Sequence, residues 1–216
     1  MSNDSLAIIP VRSLTTGKTR LAPAVSPETR RELTKRMLAI TLSACRASTV
    51  IDQILVISPD LDALGFAYAL DHEVIAVRQH DETPGLIPAL NLARRVSIVN
   101  QFDTTLVLFA DLPLVNGDDV ASFVSTAGQV VIAPDQNRIG TNGLLLRRGD
   151  IDLSDFAFKF GAASFAAHVA EAKRVGVDPA IVDIAGLGFD LDTPDDLGNL
   201  VTLDVDFMSR LRETGS

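Results

Sequence analysis

Short apolar runs alternate along this chain with longer amphipathic segments, which predicts strands separated by helices. The apolar runs that predict strands are Leu6–Val11, Ile54–Ser58, Val74–Val77, Leu106–Ala110, Val130–Ala133, Leu144–Leu146 and Ile181–Ile184. Helices are predicted from Pro27, from Asp60 to Leu70, from Leu86 to Val99, from about Asn116, from Ser164 to Val175 and from Thr193. This alternation is typical of α/β proteins with a mostly parallel sheet covered by helices on both faces.

Two helix starts carry strong local signals. Ser26-Pro27-Glu28 and Thr193-Pro194-Asp195 each combine a capping hydroxyl, a proline at the first helical position and an acid in the first turn. The chain has 216 residues and contains no internal repeat, low-complexity segment or linker. We therefore expect one domain spanning residues 1–216.

The charge balance argues against nucleic acid as a partner. The formal net charge is −9, whereas nucleic-acid binders present a broad basic face. Basic residues nevertheless cluster early in the chain, at Arg12, Lys18, Arg20, Arg30, Arg31, Lys35 and Arg36. The last four suit a solvated helix face, but Arg12, Lys18 and Arg20 precede that helix in a loop where they could converge on an anion.

Cysteine usage and hydropathy suggest a cytoplasmic protein. Cys45, the one cysteine, excludes an internal disulfide and fits no zinc framework. The N-terminal residues contain no basic stretch, and Leu6–Val11 is too short for a signal peptide or a membrane span. We expect no membrane association.

Acids at two distant places provide the most informative chemistry. Asp111 follows the apolar run at Leu106–Ala110, and Asp190 and Asp192 lie far downstream. Ligands bind beyond the carboxyl ends of strands in open α/β sheets. Such carboxylates suit Mg²⁺ carrying a substrate phosphate. Two structural alternatives remain, in which Asp111 caps a turn and Asp192 supports the helix start at Thr193.

The segment Thr16-Gly17-Lys18-Thr19 is similar to a phosphate-binding loop but fails its pattern. That motif requires glycine five residues before Gly17, where this chain has Arg12. What remains is a strand, a loop with Lys18 and Arg20, and a helix. Such cations can offset charge on a triphosphate, although ordinary exposed bases on a surface loop are the alternative.

Glycine-rich segments offer a second set of candidate ligand contacts. Gly140-Thr141-Asn142-Gly143 and the stretch from Gly161 to Ser164 combine close backbone approach with hydroxyls that can donate to an anion. The alternative is that Thr141 and Asn142 form a turn and Ser164 caps a helix. His168, one turn after Ser164, could touch an anionic substrate or serve as a hydrogen-bonded structural histidine.

No serine–histidine–aspartate or cysteine–histidine set can be assembled from this sequence. A phosphate nucleophile, already ionised near neutral pH, needs no strong general base. Metal, cations and alignment could then carry the rate, which favours a metal-dependent nucleotidyltransferase.

Several segments, in order, together resemble one family. They are Ile9-Pro-Val-Arg12, Gly17 to Pro23, Ala110 to Leu114, Gly140-Thr-Asn142, Phe160-Gly161 with Ser164, Phe165 and His168, and Asp190 to Leu197. Across nearly the whole chain they resemble the CofC/FbiD family, the 2-phospholactate or phosphoenolpyruvate guanylyltransferases of coenzyme F-420 biosynthesis. The resemblance implies a Rossmann-like, GT-A-like nucleotidyltransferase fold, with GTP and a small phosphorylated three-carbon acid as substrates.

The resemblance also implies roles for individual residues. Asp111 and Asp190, with Asp192 as a further candidate, would hold Mg²⁺, and Lys18 and Arg20 would face the triphosphate beside Asp111 in a catalytic role. The nucleotide-binding candidates are Pro10, Val11, Arg12, Lys18, Ser58, Gly85 and Asn91. Thr141, Gly161 and Ser164 would hold the acid.

This chain departs from the family pattern at two places. The family usually has Gly-Leu-Asn at the start of the helix after the third strand, and here either Gly85-Leu86 or Leu90-Asn91 could be its equivalent. Arg12 stands where lysine is common, which keeps the charge but changes the hydrogen-bond geometry. Open alternatives are a molybdopterin or sugar-phosphate acceptor, or a nucleotide-binding module without turnover. A homodimer is possible, and the sequence does not select among 2-phospholactate, phosphoenolpyruvate and 3-phosphoglycerate.

Overall fold

A 7-stranded sheet organises the chain, with strand order β3-β2-β1-β4-β6-β5-β7. The computed structural model describes residues 4–99 and 102–209. Its strands are β1 (Ser5–Pro10), β2 (Gln53–Ser58), β3 (Ile75–Arg78), β4 (Thr104–Leu108), β5 (Val130–Pro134), β6 (Thr141–Arg147) and β7 (Ala180–Ile181). Its helices are α1 (Pro27–Ala47), α2 (Leu61–Leu70), α3 (Leu86–Val99), α4 (Gly117–Ser125), α5 (Ser164–Arg174), α6 (Ala185–Gly188) and α7 (Pro194–Leu203). The predicted α/β class and mostly parallel mixed sheet are confirmed.

The strand order reverses at β1, which has β2 on one side and β4 on the other, both parallel to it. Among the described strands β6 runs against its neighbours β4 and β5, so its amino end lies beside the carboxyl end of β4. Ligands in open α/β sheets bind beyond the carboxyl ends of strands where the order reverses. The topology therefore places a candidate site beyond β1 and β4.

Alternate residues of the central strands supply two cores, one on each face of the sheet. Ala7 and Ile9 of β1 pack with buried residues of α1, α2 and α4. Leu6 and Ile8 face the opposite side, where residues of α3 and α5 cover them. Both faces are thus dry, as the continuous apolar strands predict. A smaller cluster joins α1 to α7 through buried side chains such as Leu33 and Leu200.

The structure corrects the predicted end of β4. The strand ends at Leu108, two residues before the predicted Ala110. Ile8 pairs with Val107, so Pro10 would lie opposite Phe109 if the ladder continued. Proline has no N–H to donate, and the pairing stops before it is reached. Asp111 therefore lies in a loop three residues past the strand.

The last strand was also predicted too late in the chain. It spans Ala180–Ile181 and lies parallel to β5 at one edge of the sheet, in place of the expected Ile181–Ile184. Ile184 instead precedes the short helix α6, which the sequence pattern did not predict. A Cβ on Gly186 would clash with the carboxylate of Asp119 and crowd the Leu114 carbonyl oxygen, so the chain packs closely around this glycine.

Residues 156–160, which we name the strap, run beside α5 outside the sheet. Alternate backbone amides of the strap donate to side chains of that helix: Ala157 to Glu171 Oε1 at 2.8 Å and Lys159 to His168 Nε2 at 2.9 Å. The side chains of Phe156 and Phe158, which belong to the strap, are buried. Two buried polar side chains of one helix thus fix the backbone that leads into Gly161.

Asp60 connects the loop after β1 to the start of α2. Its carboxylate accepts the amide of Asp62 as the N-cap and also accepts the Leu14 amide and the Ser13 hydroxyl, each at 2.9 Å. Burial raises the pKa of this carboxyl, but these hydrogen bonds outweigh that effect and bring the pKa below its usual range.

In the part of the chain that the structure describes, no helix combines the length and the apolar character needed to cross a bilayer.

We expect Asp60→Ala to lower the free energy of unfolding by about 1–2 kcal/mol, because a helix cap and two loop hydrogen bonds are lost together. Denaturant titration at neutral pH measures this change. Asp62→Ala is the matched control, since Asp62 is exposed and its ion pair with Arg31 spans 3.5 Å. Its effect should stay below about 0.5 kcal/mol. Equal losses in the two variants would contradict the anchoring role.

Candidate active site

The strand ends that the topology predicts do meet at one edge of the sheet. Pro10 ends β1, Ser58 ends β2, Asp111 follows β4, and Thr141 begins the antiparallel β6. This edge contains candidates from all three groups that the sequence predicts: nucleotide-binding, metal-binding and acid-binding residues. The edge is therefore a candidate active site.

The loop after β1 is held by backbone contacts and by Ser58. Val11 donates its amide to the Ile57 carbonyl at 2.9 Å, and the Ser58 hydroxyl donates to the Arg12 carbonyl at 3.0 Å. The Ser58 side chain is fully buried and also accepts the Asp60 amide. Its hydroxyl is thus occupied in shaping the loop.

Gly17 and Lys18 make the turn that carries the cation. The Gly17 amide donates to the Ser13 carbonyl at 2.9 Å, and a Cβ on Gly17 would lie 2.7 Å from that same oxygen. Glycine is therefore required at position 17. Lys18 follows with φ of 52°, in the left-handed region, and caps the single 3-10 turn Thr19–Leu21.

The ammonium of Lys18 lies between carboxylates from two distant segments. Its Nζ donates to Asp111 at 2.7 Å and to Asp192 at 2.8 Å, while the Lys18 side chain is only 10% exposed. Burial alone would lower the pKa of this lysine, but the two carboxylates outweigh that effect and raise it above its usual range. Lys18 is therefore a permanent cation at the centre of the site.

The two acidic segments are also joined through their backbones. The Leu191 amide donates to the carbonyl of Asp111 at 3.1 Å. Residues two apart on an extended segment point to opposite sides, yet Asp190 and Asp192 both serve this site. Asp192 pairs with Lys18, and Asp190 accepts a 3.4 Å hydrogen bond from the Asn142 amide group.

Asp111 and Asp192 do not have the purely structural roles that the sequence left open. The side chain of Asp111 pairs with Lys18 and caps no turn. The start of α7 is closed by Thr193 and Asp196, which form a reciprocal capping box without the Asp192 carboxylate. Both acids are thus available for chemistry.

Asp190 and Asp192 differ sharply in their electrostatic environment. Burial, together with the neighbouring charges of Asp111 and Asp192, raises the pKa of Asp190 to about 6. Burial also acts on Asp192, but the cations Lys18, Arg20 and Arg12 outweigh it and lower the pKa of that carboxyl. The site therefore carries an excess of negative charge on the Asp190 side.

This charge distribution fits a divalent cation that is shared with a ligand. Within residues 4–99 and 102–209, no group of three or more carboxylate, histidine or cysteine side chains is arranged to hold a metal ion alone. Mg²⁺, however, is usually held by one or two carboxylates and completes its shell with water and substrate phosphates. The hard oxygens of Asp111 and Asp190 match that donor set.

The remaining cations and nucleotide candidates surround the centre. Arg20 lies 3.6 Å from Asp192 with its side chain 75% exposed, and Arg12 is also exposed. Both are free to turn toward an incoming anion. On the other side, Gly85 with φ of 107° precedes α3, and Asn91 lies exposed on that helix. Among the described residues, no hydrogen bond joins Asn91, or the backbone of Gly85, to Lys18 or to the three acids.

The candidates for acid binding form a buried polar cluster. Thr141 donates its amide to the Ser164 hydroxyl oxygen at 2.9 Å, and both side chains are at most 3% exposed. Thr141 and Asn142 lie in β6, so the turn considered for them is wrong. Ser164 does not cap α5 either, because Ala163 is the N-cap and makes no side-chain bond there. Gly161, with φ of 139°, lies in the loop just before α5.

Two residues that help to hold the site together were not assigned roles from the sequence. Asn142 donates to Asp190 and to the Leu187 carbonyl, which links the cluster of Thr141 and Ser164 to the acidic centre. Asp60 anchors the loop that carries Lys18. Asn142 stands inside the segment Gly140-Thr141-Asn142-Gly143, whereas Asp60 offered only a helix-cap signal.

One cavity of about 260 Å³ lies at the other end of the sheet, near the amino end of β4. Arg94 and Arg147 line it, but their guanidinium groups are engaged with backbone carbonyls. It is remote from the strand ends that carry the acids, and we assign it no role in the site.

Comparison with protein families identifies the chain's relatives. Residues 5–210 match the family model described as guanylyl transferase CofC like. A phosphoenolpyruvate guanylyltransferase of Sphaerobacter thermophilus is 35% identical over 198 residues, covering 91% of this chain and 92% of the relative. A 2-phospho-L-lactate guanylyltransferase of Methanothermobacter thermautotrophicus is 36% identical, covering 90% of this chain and 83% of the relative.

Solved structures agree on the fold. A nucleotidyl transferase from Methanothermobacter thermautotrophicus superposes with a TM-score of 0.64 at 15% identity, covering 96% of this chain and 99% of that one. A 4-diphosphocytidyl-2C-methyl-D-erythritol synthase from Anaerococcus prevotii gives 0.63 at 10% identity, covering 94% and 96%. At these identities the similarity concerns the fold, which is that of nucleotidyltransferases. By the family match over nearly its whole length, the chain belongs to the CofC-like guanylyl transferase family.

Proposed function

We propose that this protein transfers the guanylyl group of GTP to the phosphate of a small three-carbon acid and releases pyrophosphate. Phosphoenolpyruvate, 2-phospho-L-lactate and 3-phosphoglycerate are the candidate acceptors. The observation that carries the proposal is the buried ammonium of Lys18 between Asp111 and Asp192, at the reversal point of a nucleotidyltransferase sheet. Names of relatives support it, since they include phosphoenolpyruvate and 2-phospho-L-lactate guanylyltransferases.

The cations fit a triphosphate that enters beside β1. Lys18 supplies a fixed charge, and the exposed Arg12 and Arg20 supply mobile ones around the same carboxylates. Charge on the departing pyrophosphate is offset by such groups when they are already in place before reaction. The loop after β1 would thus bind the nucleotide mainly through its phosphates.

The acid would bind on the other side of the acidic centre, at Thr141, Gly161 and Ser164. The hydroxyls of Thr141 and Ser164 are neutral donors, and Gly161 allows close approach to the backbone, which suits a carboxylate or phosphate without adding charge near the α-phosphorus. Asn142 connects this cluster to Asp190. The acid's phosphate could therefore approach the nucleotide from the side of β6.

The reaction needs no strong base from the protein. A phosphate monoester is largely ionised at neutral pH, so an oxygen of the acid's phosphate can attack the α-phosphorus directly. The bond between that phosphorus and the bridging oxygen of the β-phosphate breaks in line, and pyrophosphate leaves with the electron pair. Alignment and charge stabilisation are the contributions required of the chain.

We propose Mg²⁺ as the cofactor, held by Asp111 and Asp190 with Asp192 as a further candidate. When bound, the ion would neutralise phosphate charge and orient the triphosphate. Lys18 would then exchange part of its contact with the carboxylates for contact with phosphate oxygens. We also retain a cytoplasmic location, the absence of nucleic-acid and membrane partners, and a possible homodimer as proposals.

We expect GTP-dependent pyrophosphate release from the purified protein with Mg²⁺ and at least one of the three acids. Asp111→Asn should lower the rate at least about 100-fold, because it removes charge from the centre while keeping side-chain size. Products resolved by mass identify the acceptor. Asp118→Asn, an exposed position in the first turn of α4, is the matched control and should retain full activity. Near-normal turnover by Asp111→Asn would remove Asp111 from the mechanism.

We expect Asp190→Asn to stabilise the metal-free protein while lowering turnover. The pKa of Asp190 is raised to about 6, so the folded protein loses stability as pH rises from about 4 through 6. In Asp190→Asn the neutral side-chain amide removes that loss of stability. Solvent screening limits the expected gain to the order of 1 kcal/mol. Thermal melts in EDTA at pH 4 and pH 7.5 measure the difference, which should appear only at pH 7.5.

Asp195→Asn is the control for this experiment, because Asp195 is exposed in the first turn of α7. It should show no gain in stability at pH 7.5. A gain in both variants, or in neither, would argue against charge repulsion at Asp190.

A further inference from the structure

His168 is a buried polar residue that the proposed chemistry does not use. It lies on α5 with no exposed surface, and aromatic rings of Phe156 and Phe160 pack against it. Both ring nitrogens nevertheless have partners: the Lys159 amide at 2.9 Å from Nε2, and the Thr141 hydroxyl at 3.0 Å from Nδ1. One side chain thus joins β6, the strap and α5.

These contacts fix the tautomer of the histidine. The Lys159 amide can only donate, so Nε2 must accept and carries no hydrogen. Burial, the largest effect, lowers the pKa of His168 to about 4, and the ring is therefore neutral near pH 7. The hydrogen of the neutral ring then lies on Nδ1, which cannot accept a hydrogen bond. In the contact with Thr141, the histidine is the donor.

The hydroxyl protons of Thr141 and Ser164 are consequently left for another partner. The Thr141 oxygen accepts from His168, and the Ser164 oxygen accepts from the Thr141 amide. In the part of the chain that the structure describes, each of these two hydroxyls accepts one hydrogen bond and donates none. Both groups are at least 97% buried, where an unmet donor is unfavourable. Two neighbouring hydroxyl groups are therefore available to donate hydrogen bonds to a ligand.

The second contact of His168 fixes the backbone beside those donors. Its Nε2 holds the Lys159 amide two residues before Gly161, and Glu171 holds the Ala157 amide one helical turn further along. Gly161 and Ala163 then adopt left-handed conformations that lead into the first turn of α5. His168 thus sets both the orientation of the hydroxyls and the path of the adjoining loop.

We propose that His168 is the positioning residue of the acid-binding subsite, directing the Thr141 hydroxyl proton toward an oxygen of the bound acid. It acts through Thr141 and through the strap and does not touch the substrate. An oxygen of the anion accepts this hydrogen bond. This inference rests on the proposed function, because the anion is taken to be the phosphorylated acid.

Two substitutions separate the contacts of the ring. The amide of His168→Gln reaches the position of Nε2 and can still accept the Lys159 amide, but it loses the donor to Thr141. The amide of His168→Asn reaches the position of Nδ1 and can still donate to Thr141, but it loses the strap. His72→Gln is the matched control, since His72 is exposed before β3 at the far end of the sheet.

The experiment measures KM for the acid that supports turnover, KM for GTP and kcat, with Thr141→Val in a double-mutant cycle. His168→Gln should raise KM for the acid about 3- to 10-fold, in line with one lost hydrogen bond, and leave KM for GTP within about twofold. His168→Asn should raise it less. In the Thr141→Val background, His168→Gln should add little, because the hydroxyl through which it acts is gone.

Three results would overturn the inference while the proposed function stands: an unchanged KM for the acid in His168→Gln, equal increases for both substrates, or full additivity with Thr141→Val. Should His168→Gln fail to fold, His168→Asn with normal KM values supports the role through Thr141, and a tenfold increase in KM for the acid opposes it. A wild-type protein that turns over none of the acids removes the proposed function and this inference with it.

Discussion

The ion-paired ammonium of Lys18 is the contact on which the rest of the site depends. It joins the loop after β1 to Asp111 and Asp192, which lie 93 and 174 residues away in sequence. A buried cation is tolerated only when its charges are paired and its hydrogens are satisfied. Three acids gathered at one strand edge equally require a cation nearby. The buried ammonium and the carboxylates therefore stabilise each other.

The direction of β6 explains how two substrates can meet at this edge. Parallel strands bring their carboxyl ends together, and these ends supply the loop after β1 and the acid after β4. Because β6 runs the other way, its first residues, Thr141 and Asn142, arrive at the same edge. Asn142 then contacts Asp190. The reversed strand β6 thus adds neutral polar side chains to an edge of the sheet that is otherwise charged.

Much of the framework could be predicted from local pattern. Apolar runs revealed the strands, and the signals at Ser26, Asp60 and Thr193 correctly marked helix starts. Predicted strand ends were wrong where tertiary contacts determine them. At the end of β4, for example, the neighbouring Pro10 stops the hydrogen-bond ladder. The direction of β6 was hidden too, because a strand that is buried on both faces is continuously apolar whichever way it runs.

For the site, sequence reasoning identified residue types better than partners. It named Lys18, Asp111 and Asp192, but no local rule indicates that one ammonium lies between both carboxylates. The family resemblance assigned Ser58 to the nucleotide, and no local rule indicates that its hydroxyl also holds the Arg12 carbonyl. Such assignments depend on which atoms are closest after folding, and spacing along the chain does not encode this.

The left-handed backbone at Lys18 has an evolutionary consequence. A side chain in that conformation costs about 1–2 kcal/mol that glycine would avoid. Glycine at position 18 would avoid this cost but would leave the carboxylates of Asp111 and Asp192 without their cation, and losing one partner of a buried ion pair is the larger penalty. Selection is therefore expected to retain a cationic side chain at this strained position.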